Sequence, residues 1–182
     1  LPCRWLAAVT PCVVVSIDYR LGPEHAFPAA VDDALAGFRE VRRRAAELGL
    51  DPARIAVGGD SAGGNLALSV AVRAKREGLP QPGALVLMSP ALDLAGEGSS
   101  HRSVTDAPLL TPGLMALFNA VYIGTGDHKS ELVTPFYSDF TGLPATLVHV
   151  GSWEILRDDS MTVVDRMRAA GVAAELKVFE GM

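Results

Sequence analysis

The sequence predicts an α/β fold, built on a mostly parallel sheet with helices on both faces, and three observations point to it. Short apolar or largely β-branched runs recur along the chain, at Val13 to Ile17 and Ala84 to Met88, and further strands are expected at Ala145 to Val150 and Ala174 to Phe179. Runs of this length without polar alternation suit strands covered on both sides. Between them lie segments with apolar residues at helical spacing, and the order strand, helix, strand implies right-handed crossovers. Such a sheet carries its functional loops at the carboxyl ends of the strands.

Taken in order, the first strand is expected at Val13 to Ile17, followed by a proline-rich loop from Leu21 to Pro28. Ala29 to Leu48 reads as an amphipathic helix through Val31, Leu35, Phe38, Val41 and Ala45, ended by Gly49. Arg54 to Val57 is a short strand running into Gly58 and Gly59. Ala62 to Glu77 is a helix stopped by Gly78 and Pro80. After the strand Ala84 to Met88 the pattern loosens until Pro144, with one helix expected at Pro112 to Tyr122. We read about residues 92–140 as a lid-related insertion within a single domain spanning 1–182. The strand Ala145 to Val150, a helix from Asp159 to Ala170 closed by Gly171, and the strand Ala174 to Phe179 complete the pattern.

Composition narrows the partners. A chain of 182 residues, 49% hydrophobic and 20% charged, can bury one core. Its net charge of -5 is spread over segments of mixed sign, which argues against nucleic acid. No apolar run has the length of a membrane span, so membrane insertion is not expected and a cytoplasmic location is. Leu6 to Val15 is largely apolar, but no initiating Met precedes it and Val13 to Ile17 makes a better buried strand, so we do not read it as a secretory signal. Cys3 and Cys12 have no metal-ligand spacing and are expected to be reduced, buried thiols. The opening at Leu1 in mid-pattern and the ending at Met182 just past a strand read as those of a fragment.

The strongest chemical signal is Gly59-Asp60-Ser61-Ala62-Gly63, a GxSxG between a strand and a helix. A serine at that turn is forced into a strained conformation that projects its hydroxyl, while Gly59 and Gly63 let strand and helix approach. The helix start then aims the Ala62 N–H at a developing oxyanion. Glycines and serines also make ordinary turns; the position between strand and helix favours the chemical reading.

These residues continue into Gly64-Asn65-Leu66-Ala67 and are preceded by Asp18-Tyr19-Arg20-Leu21-Gly22-Pro23-Glu24-His25-Ala26-Phe27-Pro28. The two blocks together resemble the hormone-sensitive-lipase-like family of carboxylesterases in the α/β-hydrolase superfamily, with Gly22 where that family usually has Ala. The likeness runs on through Gly142-Leu143-Pro144 and Val150-Gly151-Ser152-Trp153-Glu154. It implies an α/β-hydrolase fold and hydrolysis of short-chain acyl esters by a serine nucleophile, with no cofactor and no metal. The expected partner is a small-molecule ester substrate, and a homodimer is left open.

A serine hydroxyl needs a base, and the base needs an acid to orient it. In the family the chain order is serine, acid, histidine. Glu154, just past a strand, matches the acid position, where many members have Asp. Asp158 and Asp159 are rivals better read as capping carboxylates at a helix start. None of the four histidines, His25, His101, His128 and His149, follows Glu154. The family's histidine is expected beyond Met182 and its HGGG oxyanion loop before Leu1, so these residues alone are expected to turn over little ester. Asp18 and Arg20 read as an ion pair or loop brace. Asp60 is expected to brace the turn. Trp153, Phe136, Tyr137 and Tyr122 either line an acyl pocket or pack the lid. Two other classes remain open here: a non-catalytic small-ligand receptor of the same fold, and a serine peptidase of the prolyl-oligopeptidase type.

Overall fold

The computed structural model describes residues 2–124 and 126–182. Among these residues four strands form the sheet: β1 (Ala56–Asp60), β2 (Ala84–Met88), β3 (Thr146–Gly151) and β4 (Ala174–Phe179). They lie in the order β1-β2-β3-β4, and every neighbouring pair is parallel. The helices are α1 (Pro2–Val9), α2 (Ala29–Arg43), α3 (Ala62–Arg76), α4 (Ser100–Ser103), α5 (Pro112–Ile123) and α6 (Arg157–Ala169).

When strand order never reverses and crossovers keep one hand, successive crossover helices fall on the same side of the sheet. The burial pattern agrees. Leu85, Leu87 and Val148 point from the sheet into a core shared with Leu68, Ala71 and Val72 of α3 and Val163, Val164 and Met167 of α6. On the opposite side Val86, Met88, Leu147 and His149 are half-buried. Among the described residues, then, α3 and α6 both cover one face. Outside α3 lies α2, whose Leu35 and Phe38 pack on Val70 with Ile55 and Val57 against them.

Strands Ala84 to Met88 and Ala174 to Phe179 have the bounds expected from sequence, and the strand at 145–150 is displaced by one residue. The expected strand Val13 to Ile17 does not form. A strand needs a hydrogen-bonding neighbour, and this segment enters no ladder; Val13 and Val15 are exposed, while Ile17 rests against Gly37, where a Cβ would come within 2.5 Å of its Cδ1. Upstream, α1 was not foreseen. Cys3 and Cys12 are free as expected but exposed rather than buried, because α1 and the segment after it present their side chains to solvent. Helix α2 stops at Arg43, short of Leu48, and the chain turns to Gly49 at φ 67° with Leu50 N–H bonding the Ala45 carbonyl at 2.8 Å. Helix α6 starts at Arg157, ahead of Asp159.

Leu68 is fully buried under the sheet. Replacing it by Ala should destabilise the fold by about 2–5 kcal/mol in denaturant unfolding, whereas Val13→Ala should change stability by less than about 0.5 kcal/mol. A large loss at Val13 would indicate that this segment is packed as a strand in solution.

Candidate active site

The turn joining β1 to α3 has a single residue, Ser61, with φ 55° and ψ -117°. A positive φ is costly for any side chain with a Cβ, so several contacts must hold it. The Ser61 N–H donates to the Met88 carbonyl at 2.9 Å, and the Ser61 carbonyl accepts from Gly64, Asn65 and Ala91 N–H at 3.0, 3.2 and 3.1 Å. A Cβ on Gly59 would collide with the backbone of Gly63. At Gly63 itself a Cβ would meet nothing, so the tight requirement falls on Gly59 and, unforeseen, on Gly64, where a Cβ would lie 2.6 Å from that of Pro90. Ser61 is half-buried and Ala62 exposed, so the turn opens to solvent. Asp60 ends β1 as an exposed residue, and among the described residues its carboxylate braces nothing.

Glu154 lies in the turn after β3. Its Oε1 accepts the Gly151 N–H at 2.7 Å and the Ser89 hydroxyl at 2.9 Å. Ser89 directly follows β2 and is the other described non-glycine residue with positive φ, at 39°; its N–H bonds the His149 carbonyl at 2.7 Å. The adjacent Trp153 N–H bonds the Met182 carbonyl at 2.6 Å, which brings the last residues of the chain beside Glu154. Ser61, Ser89 and Glu154 thus follow the carboxyl ends of β1, β2 and β3, three neighbouring parallel strands. Sequence reasoning missed Ser89. No local pattern distinguishes it, since its partner is 65 positions away.

Asp158 and Asp159 occupy the first turn of α6 but do not cap it. Asp158 accepts from Ser99 Oγ and from the Ser100 N–H, and Asp159 bonds His101 Nε2 at 3.0 Å and the Asp93 N–H at 3.1 Å. They fasten the segment between β2 and β3 to the start of α6 instead. Asp93, His101 and Asp159 are all buried, with one ligand-type atom of each inside a 4.8 Å cluster. Asp93, however, already accepts from Ala95, Glu97 and Gly98 N–H and from the Tyr137 hydroxyl. A carboxylate has about four acceptor sites, so a cation would have to strip bonds already made. The donor set suits a hydrogen-bonded network better than a metal.

Of the other histidines, His128 Nδ1 lies 3.2 Å from the Leu94 carbonyl and His149 stacks edge-on against Phe179, while His25 is exposed. Arg20 pairs with Asp33 rather than Asp18, through two side-chain bonds of 2.9 and 2.7 Å that hold the Asp33 carboxyl down at about 2. The two groups face each other directly across the loop onto α2, and Asp18 is exposed. Phe136 packs on the core, Tyr137 bonds Asp93 and Tyr122 stacks edge-on with Phe27. Exposed Trp153 donates Nε1 to Asp106 at 3.2 Å.

A model of the α/β-hydrolase fold matches residues 2–182, and the chain belongs to that family. It is 40% identical over 169 residues to carboxylesterase NlhH of Mycobacterium tuberculosis strain H37Rv, covering 90% of this chain and 53% of that protein. An acetyl-hydrolase of Streptomyces hygroscopicus is 39% identical over 160 residues, covering 87% and 52%. Among solved structures, the thermostable carboxylesterase EstE1 from a metagenomic library superposes with a TM-score of 0.94 at 38% identity, covering 99% of this chain and 63% of that one. A hormone-sensitive lipase from a metagenome library gives 0.84 at 43%, covering 91% and 56%. The chain spans about half the length of the curated relatives it matches. Among the described residues no helix is long and apolar enough to cross a membrane.

The Asp93–His101–Asp159 network has a pH signature. Burial lowers the His101 pKa, but the hydrogen bond and charge of Asp159, with Asp93 and Asp158 behind it, outweigh burial and the net direction is up. Burial of Asp159 raises its carboxyl more than His101 lowers it. Two raised groups act alike: the stability each contributes is complete below its unfolded pKa and is lost as pH climbs through the folded one. Melting temperature should therefore fall as pH rises above 6.5, the ordinary imidazole value, and His101→Gln should flatten that slope. Equal slopes in the two proteins, measured by thermal denaturation, would remove His101 as the cause.

Proposed function

We propose that the full-length protein carrying this chain hydrolyses carboxylic esters of short acyl groups through a serine acyl-enzyme. The observation that carries this reading is the strained Ser61 turn, set at a helix start and one strand away from the turn that binds Glu154. In the reading, Ser61 Oγ attacks the ester carbonyl as its proton passes to a base. Charge then develops on the carbonyl oxygen. The N–H groups of Ala62 and Gly63, in the first turn of α3, have no intrahelical acceptor, and the Ala62 N–H takes the role of oxyanion donor. Expulsion of the alcohol leaves an acyl ester on Ser61, and water attacks that ester by the same route.

Glu154 is assigned as the acid that orients the base. Its Oε1 is engaged by two donors, while Oε2 has no partner among the described residues and is the oxygen open to an imidazole. The base is assigned as a histidine placed after the acid in chain order, and none of the four histidines of these 182 residues follows Glu154. The preference for short acyl groups draws support from the acetyl-hydrolase relative.

Hydrolysis of p-nitrophenyl acetate by the full-length protein is the direct test. Ser61→Ala should lower kcat by about 10⁴–10⁶-fold and leave the circular dichroism spectrum unchanged. Glu154→Ala should cost about 10³–10⁴-fold, whereas Asp158→Ala, which loosens the inserted segment only, should leave kcat near wild type. Retained turnover in Ser61→Ala would remove the nucleophile assignment, and equal losses at Glu154 and Asp158 would remove the acid assignment.

A further inference from the structure

Two donors converge on one oxygen of Glu154, and they come from different strands. The Gly151 N–H, 2.7 Å away, belongs to the end of β3 and is local to Glu154 itself. The Ser89 hydroxyl, 2.9 Å away, reaches across from the end of β2. A single donor leaves a carboxyl group free to swing about that bond; two donors from separated points fix the plane of the group and with it the direction in which Oε2 faces.

The backbone of Ser89 supports a specific role. Its φ of 39° is unfavourable for serine and would suit glycine, yet serine stands there. The N–H of the same residue bonds the His149 carbonyl on β3, which holds the hydroxyl above the Glu154 turn. Its covalent neighbour Met88 accepts the Ser61 N–H, so one peptide unit links the serine turn to the carboxylate.

We propose that Ser89 is a positioning residue for the hydrolysis reaction: its hydroxyl locks the carboxylate of Glu154 so that Oε2 faces the base. The inference rests on the assignment of Glu154 as the acid and adds to it a residue that touches neither substrate nor base.

Ser89→Gly separates the possible roles, because glycine accepts the positive φ and removes the small hydroxymethyl group that carries the hydroxyl. In the full-length protein, kcat for p-nitrophenyl acetate should fall about ten-fold with KM nearly unchanged and melting temperature equal to wild type or higher. In a Glu154→Ala background the same substitution should cost less than about two-fold, since the group it orients is gone. Wild-type kcat in Ser89→Gly overturns the proposal, and so does a ten-fold loss that persists in the Glu154→Ala background. If the wild-type protein shows no turnover that Ser61→Ala abolishes, the esterase reading falls first. If that turnover is present and Ser89→Gly matches it, only the positioning role falls.

Discussion

The candidate site hangs on how β2 ends. Met88 accepts the backbone bond that holds the Ser61 turn, Ser89 reaches Glu154, Pro90 lies against Gly64, and Ala91 donates to the Ser61 carbonyl. Four consecutive residues therefore connect the start of α3 to the turn after β3. They can do so because β2 is central, with β1 on one side and β3 on the other, both parallel to it. Parallel pairing brings all three carboxyl ends to one edge, and fully buried Leu87, just ahead of Met88, anchors that edge in the core.

The segment between β2 and β3 is fastened by different means. Around Asp93, His101 and Asp159 the contacts are polar and buried, and such networks specify one arrangement when every member is satisfied. Ser100 adds a bond from its hydroxyl to the Ile155 carbonyl, one residue beyond Glu154. The segment between β2 and β3 and the turn that carries Glu154 thus share a boundary at the start of α6.

Much of this was legible in the linear pattern. β2 and β4 follow from unbroken apolar or alternating runs between turn residues, and the Ser61 turn from glycines that bracket a serine between strand and helix. The misreadings have a common physical origin. Val13 to Ile17 has strand composition, but a ladder needs a partner that composition does not supply. Asp158 and Asp159 fall where caps fall, yet their bonds go to residues about 60 positions back along the chain, a tertiary preference with no local trace. Arg20 chose Asp33 over Asp18 for the same reason. Gly64 escaped notice beside the better-known spacing, since its role depends on where Pro90 arrives.

Ser61 and Ser89 are the two described non-glycine residues with positive φ, and they stand at neighbouring strand ends. Replacing such a residue by glycine relieves torsional strain, although glycine also gains freedom in the unfolded chain. A laboratory screen that rewarded heat resistance alone would find both positions inviting and, on the function proposed above, would drift toward a firmer, idle molecule. Any effort to toughen this chain should hold those two hydroxyls fixed and look for gains elsewhere, on the exposed turns and helix surfaces.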